Sequence, residues 1–386
     1  MTRTPERLLA IDWMRGLVMV LMALDHVDHA TNPNHAQGDG AMFPAGGPLS
    51  APDFTLRWLT HLCAPTFVLL AGMSVALSAA NARDRGASAW QIDRHLLARG
   101  LVILGLEFTL VSMYWRIGEG APAFGLPVFP QVLWAIGGGL VLMPLLRRLP
   151  AGWLLGTSIG LLVLGELWRA ATLDTAWEQP LAVGMMVTGG GWWWDGDRER
   201  MPDVITLYPL LPWLPAMLAG VVLGRLALAG RLTPRLLFGA GFASLALFLL
   251  LRGVDGFGNM GYHRRSLDVL EWLHCSKYPP SITFFAVELG LAVIVLGALM
   301  TFRGVLERVP DQNPLAVLGR VPMFFYLLHL PMIGALMGIG LLPGRGQGSA
   351  AMSLLGTMIV VVACWPLCGA YGWYKRRHRH AWTRYL

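Results

Sequence analysis

The chain has 386 residues, 55% of them hydrophobic and only 14% charged, with a mean hydropathy of +0.53 and a formal net charge of +7. Soluble domains carry about 25% charged residues, so this composition excludes an ordinary soluble protein and points to a polytopic membrane protein. No polar stretch is long enough to form a basic soluble module, which argues against nucleic acid as a partner.

A membrane-crossing helix needs about 20 mainly apolar residues. Stretches that qualify are 8–28, 60–80, 96–115, 131–149, 152–169, 206–228, 234–251, 281–301, 314–340 and 349–373. The expected fold is therefore all-α, a single domain of about ten transmembrane helices. The first stretch carries Asp12 and Arg15 in its middle, which does not suit a cleaved signal peptide. If the N-terminus is cytoplasmic, 19 of the 30 Lys and Arg fall on inner segments and 10 on outer ones. That bias predicts both termini inside. The basic tail Lys375-Arg376-Arg377-His378-Arg379 then meets anionic lipid of the bilayer.

The first stretch ends in a polar knot, Asp25-His26-Val27-Asp28-His29. Asp12, Arg15, Met19, Met22 and His26 recur at spacings of three and four, which puts them on one helix face. Ionisable residues at such a boundary mark a cavity or a partner. Asp12 and Arg15 are spaced to pair with each other, or to meet an anionic ligand or cofactor from the cytoplasm. Asp25 and His29 are four apart, as are Arg57 and His61 at the start of the second stretch. His26 or His61 is expected to act as a general base, with Asp25 holding an imidazole in one tautomer. Arg57, His29, Lys277 and His329 are candidates for substrate binding. Lys277, one of two lysines, precedes Tyr278-Pro279-Pro280, which aims it at the cavity mouth or lets it snorkel to headgroups.

The loops 29–58, 170–205 and 252–280 would lie outside. They read as caps over a cavity, although 36–50, nearly all Gly, Pro, Ala and Ser, reads equally as a linker. Glu107 and Glu288 lie inside spans and either join His329 in a proton relay or cap backbone donors. Glu166 lies nearer an outer end, as expected of an interfacial residue. Cys63 and Cys275 would both sit near the outer face, as free thiols or as a disulfide. Asp25, His26, His29 and His61 are acceptable metal ligands, but none of the helical zinc signatures is present, and no metal is expected. Gly256-Phe257-Gly258-Asn259-Met260-Gly261 matches a dinucleotide fingerprint but lacks the strand and helix that give the motif meaning.

Several segments together carry a resemblance. They are Arg7 to Gly16, Met22 to His26, Arg57 to Pro65, Leu133 to Gly137, Tyr208 to Trp213, Lys277 to Pro280, and Gly319 to Pro322 followed by Tyr326 to His329. The chain resembles the bacterial DUF1624 membrane proteins. These are related to the catalytic domain of heparan-α-glucosaminide N-acetyltransferase and, more loosely, to the multispanning acyltransferases of cell-surface glycans. The resemblance covers almost the whole chain. It implies a bacterial inner-membrane enzyme that takes an acyl group, commonly acetyl, from cytoplasmic acyl-CoA. The acceptor is a hydroxyl or amine of an extracytoplasmic glycan or small molecule. The N-acetyltransferase's catalytic histidine aligns near Ala51, where this chain has none, so His26 and His61 come from the residue pattern. Rival readings are a proton-coupled transporter or flippase for an anionic small molecule, and a metal-binding membrane protein. The sequence leaves self-association open.

Overall fold

The computed structural model describes residues 5–35, 39, 50–172, 179–199 and 201–378. The stretch 36–50, apart from Asp39 and Ser50, and Arg379 of the basic tail lie outside the described residues. The chain is an all-α polytopic bundle. In order it forms α1 (Pro5–Thr31), α2 (Ala51–His61), α3 (Cys63–Asp84), α4 (Ala89–Leu106), a π-helical turn (Glu107–Val111), α5 (Ser112–Gly118), α6 (Val132–Leu146) and α7 (Ala151–Ala171). Then come α8 (Leu181–Val183), a second π-helical turn (Gly184–Thr188), the short strands β1 (Gly190–Trp192) and β2 (Val204–Thr206), α9 (Leu210–Leu228) and α10 (Pro234–Val254). The remainder is α11 (Val269–Leu273), α12 (Ile282–Thr301), α13 (Arg303–Leu306), α14 (Pro314–Arg320), α15 (Pro322–Gly338) and α16 (Ala350–Arg377).

Among the described residues seven spans are long and apolar enough to cross a membrane, and α14 with α15 makes an eighth if that pair, bent by 109°, is one span. The α6 helix is apolar but has only 15 residues. The α1 helix has 27 residues and is interrupted by its own charges. The second span starts earlier than the hydropathy pattern suggested, at Ala51, because α2 and α3 run on through Leu62. The sixth starts later, since β2 and Pro209 occupy 206–209.

Membrane helices gain little from hydrophobicity when they meet, so close backbone packing has to hold them. Glycines supply it at two crossings. A Cβ on Gly16 of α1 would lie 2.0 Å from the Leu315 carbonyl oxygen, and one on Gly319 of α14 would lie 1.8 Å from that of Asp12. In the same way Gly72 of α3 and Gly220 of α9 each face the other helix's backbone. The first crossing seats the bent α14–α15 pair on α1, which brings His329 beside the Thr31 end of α1. The second forms the centre of the bundle, where Trp213 and Met217 are fully buried. At the opposite end Asp93 of α4 accepts from Arg147 (2.7 Å) and Arg148, tying α4 to the end of α6.

A two-stranded antiparallel ribbon, with Gly190 opposite Thr206 and Trp192 opposite Val204, covers part of the Thr31 end. All four cysteines are free and buried, so Cys63 and Cys275 form no disulfide. The segment 256–261 lies in the loop after α10, with no strand before it.

Candidate active site

The polar knot of α1 lines a cavity of about 180 Å³ at the Thr31 end of the bundle. Asp25, His26 and His29 come from α1, His35 and Asp39 from the loop after it, and Arg57 from α2. Trp115, Gln131, Tyr208, Tyr278 and Tyr326 complete the wall. A second, mainly apolar cleft of about 300 Å³ lies on the other side of His26 and Trp115, between α5 and α15.

The charges in this site are matched in pairs. Arg57 is buried and forks onto Asp39, with Nε to Oδ1 at 2.8 Å and Nη2 to Oδ2 at 2.6 Å. Its other Nη binds Asp25, which also accepts from the Thr60 hydroxyl at 2.5 Å. Asp25 therefore does not orient an imidazole. It serves with Asp39 to neutralise a guanidinium held at membrane depth, where an unpaired charge would be costly. Burial alone would raise the Asp39 carboxyl, but Arg57 and the His61 hydrogen bond outweigh it and hold it well below the usual carboxylate range. Arg57 is thus spoken for by protein carboxylates rather than offered to a substrate.

His61 donates from Nε2 to Asp39 (3.0 Å) and packs edge-on to Phe284. It is buried and does not line the cavity. Lys277 is not at the cavity mouth either. It is 1% exposed, and its ammonium lies 5.0 Å from the Tyr278 ring centroid. Both side chains therefore support the wall from behind. Their expected roles as base and mouth-facing cation give way to packing, His61 against Asp39 and Phe284 and Lys277 against Tyr278.

His26 and His35 do face the cavity. Asp28, fully buried, accepts from His35 Nδ1 at 2.7 Å and from the Ser353 hydroxyl at 2.7 Å. A carboxylate only accepts, so His35 carries its proton on Nδ1 and keeps a lone pair on Nε2. Burial, then the Arg57 guanidinium, lowers His35 from the usual 6.5 to about 4, so this imidazole is neutral at physiological pH. The His29 ring packs edge-on to His35 and Trp115, and its Nε2 lies 3.5 Å from Glu119.

His26 is fixed by a longer chain. His329 Nδ1 lies 3.1 Å from the Phe325 carbonyl oxygen, which can only accept, so His329 is protonated there and bare at Nε2. That Nε2 lies 2.6 Å from His26 Nδ1. Hence His26 donates from Nδ1, and its own Nε2 is left as an unprotonated acceptor. The tautomers follow from the hydrogen-bond pattern. His26 lines both the polar cavity and the apolar cleft.

The remaining intramembrane acids are placed as backbone caps or left apart. Glu107, at the first π-helical turn, accepts from the Gln131 amide that opens α6. Glu166 is buried rather than interfacial and accepts from the Met260 and Ile282 amides at 2.7 and 3.1 Å. Glu288 Oε1 is buried without a partner among the described residues. Among the described residues no direct hydrogen bond joins Glu107, Glu288 and His329 to one another. Among the described residues no group of three or more His, Cys, Asp or Glu is disposed to hold a metal ion.

At the other end of α1, Asp12 and Arg15 pair at 2.9 Å as their spacing suggested, and Arg15 also donates to Ser74 Oγ at 2.7 Å. They take no part in the cavity.

The model of the acyltransferase domain family matches residues 8–369. The chain belongs to that family. No curated protein matches it. The match spans every element that builds the cavity with His26 and His35.

Asp39 and His35 were given no role by sequence reasoning, and Asp28 was named only as part of the polar knot. Asp39 had a signal all the same. Arg57 sits in a span and requires a carboxylate, and Asp39 is the lone acid in 30–52. The pairing of His26 with His329, 303 positions apart, has no local signature.

Proposed function

We propose that this acyltransferase moves an acyl group, acetyl in the simplest case, from cytoplasmic acyl-CoA to a hydroxyl or amine beyond the membrane. The termini would be inside and the His26 cavity outside, in a bacterial inner membrane. The reading rests on one observation above the others. His26 is held in the Nδ1–H tautomer by His329, so a bare Nε2 is available at a buried, charge-balanced site. Nε2 accepts the proton of the acceptor hydroxyl as its oxygen attacks the thioester carbonyl. The tetrahedral oxyanion collapses, the carbon–sulfur bond breaks, and the departing thiolate takes the proton back from the imidazolium. The products are the acyl ester and free CoA. Positioned bases of this kind contribute about 10²–10⁴-fold. The resemblance to DUF1624 proteins and to the heparan-modifying N-acetyltransferase supports the choice of donor and of a glycan-like acceptor.

The donor's phosphates would meet the opposite end of α1. Arg99, close enough to feel Arg15 and Lys375 electrostatically, keeps a buried Nε without a partner among the described residues. Arg15 there is already paired with Asp12. A cleft of about 640 Å³ carrying Arg85, His95 and Lys375 opens at this end. A buried guanidinium nitrogen of this kind, beside further basic residues, attracts polyanions.

The test is purified protein with [14C]acetyl-CoA and a panel of sugar and amine acceptors, alongside His26→Ala. Label on an acceptor that is lost in His26→Ala supports the reading. The absence of both transfer and CoA binding defeats it, and proton-gradient-driven uptake without CoA would replace it with a transporter.

A further inference from the structure

The apolar cleft between α5 and α15 opens beside the catalytic histidine rather than at the bundle's end. It shares His26, His29, Trp115 and Glu119 with the polar cavity. Its body is formed by Tyr114 and Ile117 on one side and by Leu330, Ile333 and Met337 on the other. Between these lies Gly334, which is exposed and has nothing within 4 Å of where a Cβ would stand, so a side chain is missing from the groove. Polar groups are confined to one end. There Glu119 pairs with Arg345 and approaches His29. The His29 hydrogen bond, with Arg345, keeps the Glu119 carboxyl below its usual value against the opposing effect of burial. The cleft is therefore amphiphilic along its length, with charge at the loop end and hydrocarbon towards the middle of the spans.

We infer that this cleft is a lateral entrance for the hydrocarbon chain of a lipid-anchored acceptor, whose polar head reaches the His26 cavity from the outer leaflet. The inference rests on the acyl-transfer reading and its orientation and names the acceptor class. Three features argue for that occupant. The α5 wall belongs to a span long and apolar enough to cross a membrane, and the α15 wall to another if the bent α14–α15 pair crosses as one, which would turn the mouth towards lipid. A cleft of about 300 Å³ is at the lower end of ligand-pocket sizes, which suits part of a single chain and not a two-chain phospholipid. The polar rim lies at the loop end, level with headgroups, where the head of such a molecule turns inward past Trp115. The donor's acyl chain is a poorer fit, because it approaches along α1 from the opposite face.

The test uses full-length protein in lipid nanodiscs with a hexadecyl glucoside carrying a photoreactive diazirine in its chain. Crosslinked peptides are mapped by mass spectrometry. Crosslinks should concentrate on 112–118 and 330–337. Gly334→Trp, which fills the groove, should reduce them at least ten-fold, while Gly338→Trp, one turn on and outside the cleft, should not. Uniform labelling of all lipid-facing helices, insensitivity to Gly334→Trp, or equal labelling by a two-chain phosphatidylcholine probe would overturn the inference. A parallel measurement separates it from the function itself. With [14C]acetyl-CoA and an extract of bacterial membranes, label should enter the organic phase and fall in Gly334→Trp. Label entering only water-soluble acceptors, undiminished in Gly334→Trp, sinks the lipid acceptor and leaves the acyltransferase standing. Localised crosslinks with no transfer to any acceptor sink the acyltransferase reading instead.

Discussion

The two ends of α1 carry the same kinds of residue and treat them in opposite ways. At the Thr31 end the carboxylates of the cavity wall all have partners. Arg57 is shared by Asp39 and Asp25, and Glu119 meets Arg345 and His29. Asp28 is satisfied by His35, Asn32 and Ser353. His26 and His35 are left with lone pairs assigned to Nε2. At the Asp12 end Arg15 pairs with Asp12, but one guanidinium nitrogen of Arg99 is buried without a partner among the described residues. On the proposed reading, one helix joins the cavity that carries the base to the end where the donor's phosphates would sit.

Removing the base should break the comparison most. His26→Ala is expected to lower kcat by about 10²–10⁴-fold with the KM for acyl-CoA nearly unchanged, in a steady-state assay. His329→Ala leaves His26 in place but frees its tautomer. The loss should be smaller, about 10–100-fold, as when a partner that orients a functional imidazole is removed, and the pH–rate profile should change shape. A kcat unaffected by either change would move the chemistry to His35. Next in size is a stability effect. Arg57→Ala leaves Asp25 and Asp39 buried and unpaired, and breaking such a network costs about 3–5 kcal/mol. The thermal unfolding temperature in detergent should fall sharply, and Arg57→Ala with Asp39→Asn should recover part of it. If the single and double variants melt together, the ion pairs do not carry the wall. At the other end Arg15→Gln should raise the KM for acyl-CoA about ten-fold, the worth of one charge-assisted hydrogen bond, with kcat little altered. The same KM should rise with salt in the parent protein and less steeply in the variant.

The sequence disclosed the bundle more readily than the site, for a physical reason. Span-forming stretches are long and apolar, so α3, α10, α12 and α16 are visible in hydropathy alone. Spacing within one helix was also legible. Asp12 meets Arg15, and Arg57 and His61 turn the same way, onto one carboxylate. Partners brought in from afar were not. Asp39 sits in a stretch whose Gly, Pro and Ala suggested a linker, yet it is the hub of the wall. Asp25 was given an imidazole by its i,i+4 spacing, but a guanidinium from another helix outcompetes a neutral ring for a buried carboxylate. Lys277 looked as though its Pro-Pro start would aim it outward, and the loop folds it inward beneath Tyr278.

The smallest expected effect concerns pH, and it tests whether the Thr31 end is held together by neutral histidines. His35 titrates at about 4 in the folded protein, against 6.5 for the free side chain, chiefly because it is buried. His274, also buried and with neither ring nitrogen partnered among the described residues, is lowered to about 4 for the same reason. In both cases the unfolded chain binds a proton that the folded one refuses. The stability these groups contribute is therefore complete above pH 6.5 and is lost as the pH falls towards 4. Asp39, held low by Arg57, acts in the same direction but only below the ordinary carboxylate range. The unfolding temperature should thus decline between pH 6.5 and 4, and His35→Gln should make that decline shallower by about one proton's worth, leaving the His274 share. An unchanged slope in His35→Gln would mean that His35 is charged in the folded state, and the pairwise balance that sets this end of α1 apart from the other would then be wrong by one cation.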